Sequence, residues 1–334
     1  MNTQNHNLRS CKNIQPNKPL ISDGPMISVL IPSYNHAHFI EETIKSIWSQ
    51  PYKNIEIVVV DDASTDSSVD VITRLKSQSP IPLELIVNTK NSGPSATCNT
   101  AIQHSRGDLI AFIASDDLFM DDRFSQQLDI FNGDSSVQVV YGNGLVFKDD
   151  RTLGAVHGED TCKLMSKTPK YILDFLYTHT SPLFTQTALI RRDLLLRIGG
   201  FDETELADDW ILNTKIFCDL VYHGGTFGYV NFPLFLYRVH INNIHANFER
   251  QSKLKLNYID KYTPIDLKGE AYANIGYSLA MKAIQTGFLK EAMKYFLLSQ
   301  RCIPDYRKYP KFVGRIANAL FVTTARRLFR QRIH

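Results

Sequence analysis

Three short apolar runs in the first half of the chain, each ending in polar or acidic side chains, constrain its fold more than any other feature of the sequence. They are Ile27 to Ile31, Ile55 to Val60 and Leu109 to Ile113, and nearly all their residues are β-branched or large and apolar. This pattern is typical of strands that are buried on both faces of a sheet. The sequence therefore predicts three central strands.

Helical patterns separate these runs. Ala37 to Trp48 repeats apolar residues at helical spacing, Val69 to Leu75 does the same, and Pro94 begins a helix that runs toward His104. Alternating strands and helices predict right-handed crossovers and a parallel sheet. The carboxyl ends of parallel strands share one edge, where open α/β sheets bind their ligands.

Polar residues stand at each predicted strand end. They are Tyr34 and Asn35, Asp61 and Asp62, and Asp116 and Asp117. Carboxylates grouped with few basic neighbours repel one another unless a cation lies among them. Mn²⁺ or Mg²⁺ suits such ligands and commonly bridges carboxylates to a diphosphate, so the pattern predicts a divalent-metal site that binds a nucleotide. The alternative is that each acidic pair only ends its strand and caps the next helix.

Further motifs follow in a fixed order. The whole series is Val29–Asn35, Val59–Asp66, Asn91–Asn99, Phe112–Asp117, Gly199–Glu203, Asp208–Trp210 and Tyr237–His240. In this order the motifs resemble the inverting nucleotide-sugar glycosyltransferases of family 2, and the resemblance covers Pro25 to Asn247. It implies an α/β protein with the GT-A fold, in which a Rossmann-like, mostly parallel sheet is flanked by helices. A helical extension is expected at the C-terminus.

The resemblance also implies a role for each strand-end loop. The loop Pro32 to Tyr34, including Ser33, would pack on the base of a uridine nucleotide, while Asp61 and Asp62 would hydrogen-bond the base or ribose. The expected nucleotide site further contains Asn91, Gly93 and Ser115. Metal binding is expected from Asp116, Asp117 and His240. His240 also has an ordinary interpretation, as a histidine at the end of a strand.

Catalysis is expected from Asp209, which corresponds to the general base of the family, with Asp208 beside it. A sugar hydroxyl is a poor nucleophile, so a carboxylate must accept its proton as it attacks the anomeric carbon. The metal would stabilise charge on the departing nucleoside diphosphate, and one displacement would invert the anomeric configuration. Alternatively, Asp208 and Asp209 form a first-turn acidic pair that the helix dipole favours.

The acceptor side is expected beyond a predicted strand at Val137 to Val146. Asp150 to Lys167 is interpreted as a polar loop and Tyr171 to Tyr177 as a short helix. Candidate contacts with an acceptor glycan are His179, Thr180, Ser181 and Trp210. Loops rich in hydroxyl groups are also often merely solvated.

Three positions depart from the family pattern. Ala114 stands where an aspartate is common, Cys98 where an arginine is frequent, and Asp208 where a glutamate is more usual. These departures keep a second hypothesis open, a noncatalytic protein that binds sugar nucleotides or glycans. A nucleotidyltransferase would need a glycine-rich phosphate loop after the first strand, and the loop Pro32 to Asn35 is not one.

Segment composition, together with the resemblance, implies four regions. Residues 1–24 are expected to be a disordered tail, 25–150 the nucleotide-sugar half of the GT-A domain, 151–248 its acceptor half, and 249–334 a helical region. In the last region, Gly276 to Phe296 fits either one tetratricopeptide-like repeat or a plain helical hairpin. Tyr306 to His334 mixes basic and apolar residues without an acid, which suits either a helix on an anionic membrane or a tail packed on its own domain.

Composition limits the remaining choices. The net charge of +3, without a basic stripe, argues against nucleic-acid binding. Five scattered cysteines favour a reduced, cytoplasmic setting. Because the chain has neither a long apolar run nor the Gln-X-X-Arg-Trp motif of processive relatives, we expect transfer of single sugars. The family resemblance implies bacterial O-antigen or capsule assembly. If the basic end binds a membrane, the expected acceptor is a lipid-linked glycan at the inner face of the cytoplasmic membrane.

Overall fold

The computed structural model describes residues 24–149, 151–205, 208–240, 248–303 and 310–317. These divide into two units. The first contains the described residues up to Leu173 and those from Pro182 to His240, and the second contains residues 174–181 and those from Phe248 onward. The predicted tail, apart from Gly24, and most of the basic segment after Tyr306 lie outside the described residues.

In the described residues, the first unit is built on a nine-stranded sheet. Its strands are β1 (Ile27–Ser33), β2 (Ile55–Asp61), β3 (Leu83–Val87), β4 (Leu109–Phe112), β5 (Leu118–Phe119), β6 (Val137–Lys148), β7 (Arg151–Ala155), β8 (Leu189–Arg191) and β9 (Thr226–Arg238). They lie in the order β3-β2-β1-β4-β8-β6-β9-β5, and β7 pairs with β6. Strands β1 to β4 are mutually parallel, which confirms the predicted parallel sheet, although β3 was not among the predicted strands.

Helices connect the strands of this unit. They are α1 (Ile40–Trp48), α2 (Ser68–Gln78), α3 (Pro94–His104), α4 (Ser125–Gly133), α5 (Glu159–Leu164), α6 (Pro169–Thr178), which reaches into the second unit, α7 (Arg192–Arg197) and α8 (Asp208–His223). Helix α1 packs on the sheet and buries Ile40, Ile44 and Ile47 in the same core as the central strands. Strands β2 and β4 are buried along their whole length, which explains their unbroken apolar sequences.

Strand β5 is short, but it positions the end of β9. It begins directly after Asp117 and pairs antiparallel with β9, with Leu118 opposite Leu236 and Phe119 opposite Phe235. This pairing carries the residues that follow β9 back toward the residues that precede β5. The chain around Asp116 therefore lies beside the chain around Arg238.

The prediction of a polar loop from Asp150 to Lys167 was wrong. The segment forms strand β7, which pairs antiparallel with β6, followed by helix α5. Strand β7 is mostly exposed, so its sequence carries no apolar alternation, and backbone pairing with β6 orders it instead. Helix α5 buries only Thr161 and Leu164, too few residues to produce a helical pattern.

The second unit contains α9 (Phe248–Tyr262), α10 (Lys268–Thr286) and α11 (Leu289–Cys302). Helices α10 and α11 form the predicted hairpin, in which Gly287 ends α10 with a φ of 84°. The ring of Phe296 stacks on Phe312 from the described helical residues 310–317, with 3.9 Å between ring centroids. Within the described parts of the chain, no helix is long and apolar enough to cross a membrane.

Two adjacent glycines after α7 provide a test of close packing. Gly199 and Gly200 both have positive φ, but only at Gly200 would an added Cβ overlap another residue, at Oδ1 of Asn99. That Asn99 oxygen accepts the backbone N–H of Phe201 at 2.8 Å, so it is not free to move away. This contact ties the loop before α8 to α3.

We expect Gly199→Ala to lower the free energy of unfolding by about 1 kcal/mol through backbone strain alone. Gly200→Ala should cost about 1–3 kcal/mol more, because it adds the steric overlap with Asn99. Urea unfolding of both variants, followed by tryptophan fluorescence, measures the difference. If both variants lose the same free energy of unfolding, then Asn99 moves to accommodate the new methyl group.

Candidate functional site

The carboxyl ends of β1, β2 and β4 bring the predicted strand-end residues to one edge of the sheet. Strands β1 and β2 are in register at Ser33 and Asp61, and β1 and β4 at Leu30 and Phe112. The chain segments that follow these strands, 34–36, 62–66 and 113–117, therefore begin at the same edge. The predicted grouping of acidic residues at this edge is thus present in the structure.

Asp61 holds the first of these loops through its own carboxylate. Its Oδ1 accepts the backbone N–H of Ser64 at 2.8 Å, and its Oδ2 accepts the hydroxyls of Ser64 at 2.7 Å and Ser33 at 3.2 Å. Asp61 is fully buried. In this arrangement it connects β1, β2 and the turn before α2.

Asp62 organises the loop before α3 in the same way. Its Oδ1 accepts the amide of Asn88 at 2.8 Å and the backbone N–H of Ser92 at 2.9 Å, while Oδ2 accepts the N–H of Gly93 at 2.8 Å. Gly93 has a φ of 87°, a conformation that favours glycine, and it leads directly into Pro94 of α3. The carboxylate thereby shapes the predicted nucleotide loop.

We expect Asp62→Asn to lower the free energy of unfolding by about 1–3 kcal/mol, because one carboxylate oxygen becomes an amide that faces backbone N–H donors. Thermal unfolding without any nucleotide measures this loss. Asp70→Asn, on the exposed first turn of α2, is the matched control and should lower stability by less than about 1 kcal/mol, the usual contribution of an acid near a helix N-terminus. An unchanged Tm for Asp62→Asn would show that the loop does not depend on its carboxylate.

The remaining predicted nucleotide residues differ in exposure. Tyr34 is 45 % exposed and Pro32 is half-buried, so both present surface at the edge. Asn91 is exposed in the loop that Asp62 holds. Ser115 is buried, and its Oγ lies 2.7 Å from Nδ1 of His36.

Three side chains at this edge form a cluster of metal-binding type. Nε2 of His240, just after β9, lies 2.7 Å from Oδ2 of Asp116, just before β5. His36, in the loop after β1, completes the cluster, and one donor atom from each residue lies within 4.8 Å of the other two. The His240 ring stacks on Phe39, with centroids 5.1 Å apart. Burial lowers the pKa of His36, which favours a neutral imidazole.

The spacing of these donors fits one divalent ion. With metal–ligand bonds of about 2.1 Å, neighbouring ligand atoms of an octahedral ion lie about 3.0 Å apart and opposite ones about 4.2 Å apart. The spacings of 2.7 Å and at most 4.8 Å bracket these values, so small side-chain rotations suffice. A carboxylate with two imidazoles is also a common donor set for divalent transition metals.

Asp117 faces into the protein rather than toward the cluster. It is fully buried, and its carboxylate accepts the backbone N–H of Arg238 at 2.7 Å and the side-chain amide of Gln186 at 2.8 Å. Burial, reinforced by the charge of Asp116, raises the pKa of Asp117 to about 8. The Arg238 guanidinium pairs with Glu42 at 2.6 Å and donates to the backbone oxygen of Asp116 at 2.8 Å.

Asp209 lies at the start of α8, and its Oδ1 accepts the backbone N–H of Thr185 at 3.2 Å. Thr185 and Gln186 belong to one 3-10 turn, Thr185–Thr187. Thr185 therefore contacts the predicted base, Asp209. Its neighbour Gln186 contacts Asp117, which adjoins Asp116 of the cluster. The carbonyl of Asp209 accepts the side-chain amide of Asn213 at 2.7 Å.

The remaining predicted residues are Trp210, Asp208 and three residues of the second unit. Trp210 is buried in α8, and the side chain of Asp208 lies outside the described residues. His179, Thr180 and Ser181 belong to the second unit, where the His179 ring stacks on Phe175 with centroids 4.4 Å apart. Their role as acceptor contacts stays a prediction.

Sequence reasoning missed three residues of this region: His36, Gln186 and Arg238. His36 follows directly after the motif that ends in Asn35, and a histidine at a strand end was a usable signal. Arg238 lies inside the motif Tyr237–His240 but was given no role, and Gln186 carried no comparable signal. The importance of both comes from contacts with Asp117, which is distant in sequence.

Comparison with known proteins places these features in a family. The model of "Glycosyl transferase family 2" matches residues 28–199. An uncharacterized glycosyltransferase of Nostoc sp. is 28 % identical over 223 residues, which span 66 % of this chain and 67 % of that protein. The Escherichia coli UDP-Glc:alpha-D-GlcNAc-diphosphoundecaprenol beta-1,3-glucosyltransferase WfaP is 36 % identical over 124 residues, 37 % of this chain and 48 % of that protein. The match thus spans only about half of WfaP.

Solved structures share the fold. The mannosyltransferase PcManGT of Pyrobaculum calidifontis, solved in complex with GDP-Man and Mn²⁺, superposes with a TM-score of 0.58. The superposition covers 93 % of this chain and 85 % of that one, at 23 % sequence identity. The likeness extends across most of both chains, well beyond the strands that the sequence motifs identify.

Proposed function

The chain belongs to glycosyltransferase family 2, and from this membership we propose that it transfers one sugar, with inversion, from a nucleoside-diphosphate sugar to an acceptor glycan. The proposal is carried by one observation, the 3-10 turn Thr185–Thr187. The turn contacts Asp209 through its Thr185 N–H and Asp117 through Gln186. A candidate base and the edge that would bind the donor diphosphate are thus connected through adjacent residues.

Asp209 would act as the general base. The Thr185 N–H occupies Oδ1 at 3.2 Å and orients the carboxylate. An acceptor hydroxyl placed within hydrogen-bond reach would lose its proton to this carboxylate as it attacks the anomeric carbon. Attack from the face opposite the leaving diphosphate inverts the configuration in a single displacement.

Asp116 and His240, 2.7 Å apart, are the residues that would hold a divalent metal ion. Such an ion, when bound, stabilises the negative charge that develops on the diphosphate oxygens. The protein's own part is to hold the metal-binding side chains in place. Arg238 does this for Asp116 by donating to its backbone oxygen, and Phe39 does it for His240 by stacking on its ring.

A uridine diphosphate sugar is the proposed donor. The exposed Tyr34 beside Pro32 provides an aromatic and apolar surface on which a base can stack at the edge. The name of WfaP contains UDP-Glc, which supports this choice, whereas PcManGT was solved with GDP-Man. Donor identity therefore belongs in the first experiment.

We propose a lipid-linked acceptor in bacterial surface polysaccharide assembly. The name of WfaP includes a diphosphoundecaprenol acceptor, which supports this class. The basic and apolar segment Tyr306 to His334 would then bring the protein to an anionic membrane surface at the cytoplasmic side. Binding to vesicles with and without anionic lipid tests this part separately.

The first experiment measures release of nucleoside diphosphate from UDP-, GDP- and dTDP-sugars, with Mn²⁺, with Mg²⁺ and with chelator. Metal-dependent release from one donor in the presence of membrane lipid extract is the expected result. Tight metal-dependent binding without release from any donor would favour the alternative function, a noncatalytic sugar-nucleotide or glycan-binding protein. The departures at Ala114 and Cys98 are the features that favour that alternative.

A further inference from the structure

We propose that His36 is a third protein ligand of the metal and that it makes the site select Mn²⁺ over Mg²⁺. This inference rests on the proposed function and deepens it. Asp116 and His240 alone would offer one oxygen and one nitrogen. His36 adds a second imidazole from a different loop, the one that follows β1.

The position of His36 is determined by several contacts. Its backbone N–H donates to Oγ of Ser68 at 3.0 Å, and its Nδ1 lies 2.7 Å from Oγ of Ser115. Its ring also meets Phe39 and His240 edge-on, with centroids 5.8 and 5.9 Å away. The imidazole is therefore held at the cluster before any ion binds.

The contact with Ser115 leaves the other ring nitrogen available. With the proton on Nδ1 directed at Ser115, the lone pair on Nε2 is the one that a metal can take. Nε2 has no hydrogen-bond partner among the described residues. Metal-binding histidines commonly use one ring nitrogen for the metal and donate from the other, which fixes the tautomer and the ring orientation.

The donor set determines which ion is preferred. Mg²⁺ favours oxygen ligands and retains several waters, whereas imidazole nitrogen suits the first-row transition metals. Two imidazoles and one carboxylate therefore favour Mn²⁺ over Mg²⁺.

Direct metal binding tests the proposal without any turnover. Mn²⁺ titration of the full chain, with free Mn²⁺ followed by electron paramagnetic resonance and Mg²⁺ added as competitor, gives both dissociation constants. We expect His36→Ala to raise the Kd for Mn²⁺ by at least about 10–100-fold, because loss of a residue that only orients a metal ligand already costs that much, and to raise the Kd for Mg²⁺ by less than about threefold. His38→Ala, an exposed histidine two residues on, is the matched control and should change neither.

Nitrogen couplings to bound Mn²⁺ distinguish a ligand from a residue that only positions the others. Electron spin echo modulation should show two directly bound histidine nitrogens in the wild type and one in His36→Ala. The same two-nitrogen signal in both proteins would overturn the proposal. The proposal would also be overturned if His36→Ala lost affinity for Mn²⁺ and for Mg²⁺ by the same factor.

The outcome for His36 is separable from that of the proposed function. If His36→Ala retains wild-type Mn²⁺ affinity while Asp116→Asn and His240→Ala lose it, then His36 is not a ligand but the metal site of the proposed function stands. If no protein, including the wild type, binds Mn²⁺ either alone or with nucleoside diphosphate, then both the inference and the metal part of the proposed function fail.

Discussion

Asp209→Asn is expected to lower kcat for sugar transfer by about 10²- to 10⁴-fold, the range that a general base contributes. Asparagine keeps an oxygen that can accept the Thr185 N–H, so the start of α8 should keep its structure. It cannot accept the proton of the acceptor hydroxyl. Donor KM and Tm should therefore stay close to wild type while kcat falls, which initial rates and thermal unfolding together measure.

The matched control lies at the other end of the same helix. Asp219 pairs with Arg197 at 2.8 Å and is buried, so Asp219→Asn should lower Tm while leaving kcat unchanged. Its side-chain contacts with Arg197 also lower the pKa of Asp219, so this carboxylate is ionised at neutral pH. If Asp209→Asn keeps the wild-type kcat, then Asp209 is not the general base.

Asp116→Asn is expected to abolish metal-dependent transfer, with kcat/KM falling by about 10³-fold or more, because a metal contributes several kcal/mol of charge stabilisation. The variant also has a readout without turnover. A divalent ion at about 100 times its Kd stabilises the wild type by about 2.7 kcal/mol. Asp116→Asn should lose the corresponding rise in Tm with Mn²⁺.

Asp121→Asn makes the same charge change at an exposed position shortly after β5 and serves as the control. It should keep both the activity and the rise in Tm. The prediction is contradicted if Asp116→Asn still shows the metal-dependent rise in Tm. Loss of activity with that rise retained would instead place Asp116 in contact with the donor but not the metal.

The central strands were predictable because strands buried on both faces have unbroken apolar sequences. The observed β1, β2 and β4 agree with the predicted runs, and Pro94 does begin α3. Local patterns failed where backbone pairing, rather than side-chain burial, orders the chain. Strand β7 is such a case, since its exposed residues are held by pairing with β6.

The position of the acids at the strand ends was predictable, but their contacts were not. The acids that follow β2 and β4 were recognised from the residues alone. Their partners were not, because Asp61 and Asp62 use their carboxylates to shape loops through Ser64 and Gly93. A sequence pattern shows that an acid follows a strand, but not which N–H groups it accepts.

The sequence by itself determined the parallel sheet, the edge at which acids gather and the family of the chain, because these depend on short segments and their order. Only the tertiary structure decided which distant residues meet there. His240 reaches Asp116 across 124 positions because the two-residue strand β5 pairs with β9, and Asp209 meets Thr185 through the turn before β8. Contacts of this kind join residues that are far apart in the chain. The loops between such residues have no periodic pattern of apolar residues, so the sequence does not predict the contacts.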